Sequence, residues 1–274
     1  MSKTHSPMPK QTLFSLRFPA PRTRWAILLL FLALLPQAAL AQTDEVHQLA
    51  DDLEVRRLGE GVWLHTTWRD LGGASLFPSN GLIVVSEKKA LLIDTAWGDT
   101  LTETLLHWID AELGASVESA VLTHAHDDRM IGIGVLKQAG VTSYALPQTV
   151  EGAAHQQWPL PDSVLAPAQH LAVGIRTVET FFPGPGHTVD NLAVWLPEEK
   201  LLFGGCMVRA AGARSMGNVA DADVEAWPHS ISNLLSRYAD VQTVVPSHGP
   251  VGDHGLLEHT LDLLKEHTEK KAGG

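Results

Sequence analysis

Four short stretches of the chain carry side chains that bind metals. His124-Ala125-His126-Asp127-Asp128 alternates two imidazoles and a carboxylate. It directly follows the apolar, β-branched run Ala120-Val121-Leu122-Thr123, so an extended backbone would point His124, His126 and Asp128 the same way. His187 sits in the turn Pro183-Gly184-Pro185-Gly186-His187-Thr188, Cys206 follows Leu201-Leu202-Phe203, and His248 follows Val244-Val245-Pro246-Ser247. Each donor falls at the C-terminal end of an expected strand, where the loops of a sandwich converge on one rim. A lone histidine is ordinarily a solvated or core residue, and the chain has 14 of them. His47, His107, His229, His259 and His267 are expected on helices or tails, in solvent. Imidazole, carboxylate and thiolate donors together suit a divalent transition metal such as zinc.

Cys206 is the only cysteine. Alone it could be a small buried hydrophobe. As a metal-bound thiolate it needs partners, and the other three stretches provide them.

The elements that would position these donors alternate strands with helices. Residues 62–67, 81–85 and 90–94 read as consecutive strands, and 118–123 as the next. Residues 99–113 have helical spacing, with Leu101, Leu105, Trp108, Ile109 and Leu113 on one side. A helix is expected from the His-Ala-His stretch to about Gly140, a C-cap. Strands are expected near 141–145, 169–173, 176–182, 191–196, 200–204 and 241–245, with helices at 147–155, 222–238 and 255–270. Two runs of strands, each closed by helices, imply an α/β fold of two packed sheets with helices outside. The Gly-rich stretch 68–78 breaks the strand pattern yet keeps Trp68 and Phe77, which either tuck into the core or cover a ligand.

The first 41 of 274 residues differ from the rest. They contain no Asp or Glu, carry Lys3, Lys10, Arg17, Arg22 and Arg24, and hold the apolar run 26–35 before Pro36 and Ala39-Leu40-Ala41. This is the order of a secretory signal peptide cleaved after Ala41. Ten apolar residues span about 15 Å of helix, half a bilayer core, so no stable membrane anchor is expected after cleavage. Residues 42–274 are expected to form a single periplasmic domain, a monomer. That part has 15 Lys and Arg against 31 Asp and Glu, a formal charge of −16. Such a chain repels polyanions, which argues against a nucleic-acid partner.

Over residues 46–270 the sequence resembles the subclass B1 metallo-β-lactamases. The resemblance rests on Ile93-Asp94-Thr95-Ala96-Trp97, residues 123–129, residues 183–191, Gly204-Gly205-Cys206, Gly217-Asn218-Val219-Ala220-Asp221-Ala222-Asp223 and Ser247-His248-Gly249. It implies an αββα sandwich and two Zn2+ per chain, one held by His124, His126 and His187 and the other by Asp128, Cys206 and His248. It also implies hydrolysis of the amide bond of a small-molecule β-lactam antibiotic by metal-activated hydroxide, with no acyl-enzyme. Asp128 and Asn218 would be the catalytic positions, Asn218 supporting the oxyanion. Three neutral imidazoles leave the first ion its full charge, whereas Asp128 and a Cys206 thiolate neutralise the second, which then suits the departing nitrogen.

Arg129 after Asp128, and Cys206 where related hydrolases carry a bridging carboxylate, favour this branch over lactonases, glyoxalases and nucleases. Two departures stand out. Arg209 occupies a position where the family commonly has Lys for the substrate carboxylate, with Arg214 as a nearby substitute. Ile131 replaces a glycine and is expected to alter packing beneath the metal loop. Another ester, lactone or thioester substrate, or zinc binding without catalysis, stays open on the sequence. Ser86-Glu87-Lys88-Lys89 matches the S-x-x-K string of serine β-lactamases, but it lies in an expected turn and its companion strings are absent.

Overall fold

The computed structural model describes residues 45–273 except Ala74, so the expected leader, 1–41, lies outside the described residues. The elements in chain order are β1 (Val46–Ala50), β2 (Leu53–Gly59), β3 (Val62–Arg69), β4 (Phe77–Ser86), β5 (Lys89–Ile93), α1 (Asp99–Leu113), β6 (Ser116–Val121), α2 (Asp127–Met130), α3 (Ile133–Gln138), β7 (Thr142–Ala145), α4 (Pro147–His155), β8 (Ser163–Val164), β9 (Ala168–Val173), β10 (Arg176–Phe181), β11 (Ala193–Leu196), β12 (Leu201–Gly205), α5 (Trp227–Arg237), β13 (Thr243–Pro246) and α6 (Gly255–Gly273). β1 to β8 form one sheet in sequence order, antiparallel up to β5 and parallel from there. The second sheet runs β13-β12-β11-β10-β9, with only the β12–β13 pair parallel.

The two-residue period of the strands sorts their side chains into three apolar layers. Leu64, Leu82, Val84 and Leu91 of the first sheet meet Val178, Val194, Leu201 and Phe203 of the second. The alternate residues Trp63, Ile83 and Leu92 face outward and pack on Leu105, Ile109, Ile133 and Leu136 of α1 and α3. On the far side Trp195, Leu202 and Val244 pack on Ile231, Leu234 and Leu257 of α5 and α6. The result is the expected αββα sandwich. Among the described residues no helix is long and apolar enough to cross a membrane.

Several local expectations need correction. β1, β2 and β8 were not foreseen, and His47 lies on β1, half-buried against Trp63 and Trp108 rather than on a solvated tail. Strands β3 and β4 run further than expected and confine the loop to residues 70–76. The helix expected to reach Gly140 is broken into α2 and α3 at Ile131-Gly132, where a Cβ on Gly132 would lie 2.2 Å from Thr102 Oγ1. Ile131 is half-buried, donates its N–H to Asp127 O at 3.2 Å and lines a hollow with Asp51, Trp97 and Leu101. The helix expected from 222 begins at Trp227, after Asp223 Oδ1 accepts the Ala226 N–H at 2.9 Å.

Candidate metal centre

The donors converge because loop hydrogen bonds lock four chain turns together. Asp190 Oδ2 accepts the Ala125 N–H at 2.9 Å and Leu192 N donates to Thr123 O at 2.9 Å, which ties the His187 turn to the His124–Asp128 turn. Asn80 Nδ2 donates to Pro246 O and Gly249 O, both at 2.8 Å, and Ser247 N donates to Gly205 O at 3.0 Å. These bonds join β4, the Cys206 turn and the His248 turn.

Two triads result. His126 Nδ1 lies 3.1 Å from His124 Nε2 and 3.3 Å from His187 Nε2. His248 Nε2 lies 3.2 Å from Cys206 Sγ and 3.5 Å from Asp128 Oδ2, and Cys206 Sγ is 3.8 Å from that oxygen. Around a tetrahedral zinc, donor-to-donor edges are about 3.3 Å between nitrogens and about 3.6 Å when one donor is sulfur. Both triads match those edges, so the residues present fit two divalent ions. His124, Asp128 and Cys206 also offer donor atoms within 4.8 Å of one another, which places the triads side by side.

Groups around the donors fix their orientation. His248 Nδ1–H donates to Pro78 O at 2.8 Å, leaving Nε2 as the free donor atom. His126 Nε2 meets Asp221 Oδ2 at 3.2 Å, so the carboxylate takes the Nε2–H and Nδ1 faces the other two imidazoles. Replacing Asp221 with alanine is expected to weaken zinc binding about 10- to 100-fold, measured by competition with a chromogenic chelator.

Arg129 lies behind Asp128 with no exposed side-chain surface. Its Nε and Nη2 donate to Asp128 Oδ2 at 2.9 and 2.7 Å, and Nη1 donates to Asp94 Oδ2 at 3.0 Å and Asn80 O at 2.6 Å. Nη2 also donates to Ser79 Oγ. Asp94 adopts φ 61 and accepts Thr123 N–H and Oγ–H, each at 2.8 Å, so it anchors the strand that leads into His124.

Burial sets the charge state of the donors. It holds the His124 imidazole well below its ordinary value and lowers His187 to about 3 and His248 to about 4. Burial alone would raise the Asp128 carboxyl, but the Arg129 guanidinium beside it holds it well below the usual carboxylate range. The Cys206 thiol is pushed up by burial, with Asp128 adding to the effect. At neutral pH the thiol is therefore the donor in its triad with a proton to lose. Metal loading there is expected to release about one proton, with affinity rising about tenfold per pH unit between roughly pH 6 and 8. Calorimetric titration in buffers of different ionisation heat reads this directly, and a buffer-independent heat would contradict it.

Four of the six donors, His126, Asp128, His187 and His248, line a cleft of roughly 660 Å³, with His124 and Cys206 buried behind them. Phe77 stands over His248, ring centroids 4.6 Å apart, and the exposed Leu71 lines the same rim, so the 70–76 loop borders the site. Asn218 and Arg209 also line the cleft. Asn218 Oδ1 accepts the Ala220 N–H at 3.1 Å. Arg209 has a buried Nε without a partner and no ion pair among the described residues. Arg214 is exposed on its loop and is not part of the lining.

Four further residues contribute to the site without a clear mark in the local sequence pattern. Asp221 lay inside a motif already singled out, and its position was the available signal. Arg69 stacks 4.5 Å over Trp97 and pairs with Asp127 at 3.2 Å, while Trp97 Nε1 donates to the same carboxylate at 3.1 Å. Gln156 and Trp158, at the end of α4, line the cleft with no sequence signal of their own.

Helix α4 also supports the metal loop from behind. A Cβ on Gly152 would lie 2.5 Å from Ala125 Cβ, between His124 and His126. Gly152→Ala is expected to push that turn away, lowering stability by about 1–3 kcal/mol in urea unfolding despite alanine's better helix propensity.

Residues 74–266 match the model of the Metallo-beta-lactamase superfamily. The chain is 42% identical over 213 residues to a metallo-beta-lactamase type 2 of Bacillus cereus, covering 78% of this chain and 83% of that relative. It is 34% identical over 243 residues to one of Bacteroides fragilis, covering 89% of this chain and 97% of the relative. Among solved structures, a metallo-beta-lactamase from Pontibacter korlensis superposes with a TM-score of 0.76 at 44% identity, covering 78% of this chain and 99% of that one. The metallo-beta-lactamase FIM-1 from Pseudomonas aeruginosa, solved in a mono-zinc form, superposes with a TM-score of 0.75 at 34% identity, covering 80% and 99%. With two matching donor triads at the rim of an αββα sandwich, the chain belongs to the metallo-β-lactamase superfamily, in its subclass B1 branch.

Proposed function

We propose that the protein is an exported, zinc-dependent hydrolase that opens the amide bond of β-lactam antibiotics. The observation that carries this reading is the side-by-side placement of a three-imidazole triad and an Asp128–Cys206–His248 triad, each with two donors lining one cleft. Zinc held by these two triads would supply Lewis acidity and would lower the pKa of water there into the neutral range.

The chain's own groups divide the remaining work. His124, His126 and His187 bring no charge to their ion, whereas Asp128 and ionised Cys206 bring two negative charges to theirs. The two positions thus differ in how strongly they draw electrons from a bound atom. Asn218 is held by its Oδ1 bond to Ala220, which leaves Nδ2–H free to donate to the carbonyl oxygen as negative charge grows on it. Arg209 presents a guanidinium without an internal carboxylate and receives the substrate's carboxylate, bidentately where geometry allows. That one positive group offsets the acidic surface at the point where an anionic substrate must dock. One chain carries the full donor set, so a monomer suffices. Residues 1–41 act as the export signal, and N-terminal sequencing of periplasmic protein is expected to begin at Gln42.

A substrate panel tests the reading. Zinc-loaded enzyme is expected to show kcat/KM values for a penicillin and a carbapenem at least about 100-fold above those for simple lactones and thioesters. The opposite order would assign the site to another carbonyl substrate.

A further inference from the structure

We propose that Gln156 and Trp158, at the C-terminus of α4, form a specificity wall that receives the acylamino substituent of a β-lactam. The inference rests on the hydrolase reading above and extends it to substrate choice.

The geometry begins with how α4 ends. Trp158 N donates to Ala153 O at 3.0 Å and Gln157 N donates to Ala154 O at 3.1 Å. These are the paired bonds of a Schellman motif, in which the residue between cap and anchor takes the left-handed conformation. That residue is Gln157, at φ 59, where glycine is the usual occupant. The left-handed turn sends the chain back toward the cleft, and Trp158 packs partly against the core cluster that holds Ala153 while also lining the cleft. The Gln156 side chain is exposed beside it and makes no hydrogen bond to the described residues. Because α4 rests on the metal loop through Gly152 and Ala125, this wall is held at a fixed place relative to the donor triads.

Arg209 belongs to the other half of the sandwich. It follows the β12 end, and its guanidinium lies against the backbone of Gly217. A bicyclic β-lactam carries its carboxylate on the fused ring and its acylamino substituent on the four-membered ring, away from that carboxylate. With the carboxylate on Arg209 and the reacting amide over the triads, the substituent points toward the α4 wall. There the partly buried Trp158 offers apolar aromatic surface that suits an aromatic acyl group, and the Gln156 carboxamide can pair with the substituent's amide.

The test compares benzylpenicillin with 6-aminopenicillanic acid, which share one nucleus and differ in the acyl substituent. In Trp158→Leu the KM for benzylpenicillin is expected to rise about tenfold relative to that for the bare nucleus. In Gln156→Ala the same ratio is expected to rise about threefold, with kcat for the two substrates changing in parallel. Gln156 is exposed, so that variant decides the matter if the tryptophan variant fails to fold. An unchanged KM ratio in the folded variants would overturn the wall while leaving the hydrolase reading intact. Wild-type enzyme that turns over neither compound would overturn both.

Discussion

Arg129→Met is expected to lose about 3–5 kcal/mol of stability in urea unfolding of the metal-free protein, a large share of what a domain this size has. All five guanidinium N–H donors are engaged, two of them on Asp128, one on Asp94 and the others on Asn80 O and Ser79 Oγ. Methionine fills much of the volume but leaves two buried carboxylates without a cation. Arg129→Lys keeps the charge yet loses the fork that spans both carboxylates, so a smaller loss is expected. The pH dependence has a definite sign. Burial already raises Asp94 to about 6, against the pull of Arg129. A buried acid with a raised folded value destabilises the fold above its unfolded value near 3.8, and most strongly above its folded value. Removing Arg129 raises Asp94 further, so the deficit of the variant is expected to be greatest at pH 7 and to shrink toward pH 5. A deficit independent of pH would show that lost packing, not uncompensated charge, dominates.

Cys206→Ala is expected to lower the zinc content after gel filtration from two per chain to one, and kcat/KM for a penicillin by about 100-fold or more. Alanine removes the thiolate from a triad whose other members are Asp128 and His248, leaving two donors and one negative charge for that ion. The three-imidazole triad keeps all its contacts. Cys206→Ser restores an oxygen donor that is harder and far less acidic than the thiol, so partial recovery of zinc content with little recovery of rate is expected. Two zinc ions per chain in the alanine variant would place the second ion elsewhere.

The donors were legible in the sequence because each depends on local order. His124, His126 and Asp128 alternate over five residues after an apolar run, while His187 lies in a Gly-Pro turn and Cys206 and His248 each follow an apolar run that reads as a strand end. The sandwich was legible for the same reason, since its central strands are unbroken apolar runs. The supports were not. Asp221 reaches His126 across 95 positions of sequence, and Arg69 reaches Asp127 across 58. Nothing in the local pattern around either residue announces its partner. The break between α2 and α3 depends on how closely Gly132 approaches Thr102 on another helix. β1 mixes His47 and Gln48 with apolar residues at a sheet edge, so its alternation is weak. Trp158 is the clearest case: its place in the cleft follows from a left-handed Gln157, which composition argues against.

The most direct test is nitrocefin hydrolysis by protein whose zinc is counted before and after chelation. The predicted result is two zinc ions per chain with turnover, loss of turnover when a chelator removes them, and recovery when zinc is returned. Folded protein carrying both ions and failing to hydrolyse nitrocefin would contradict the assignment.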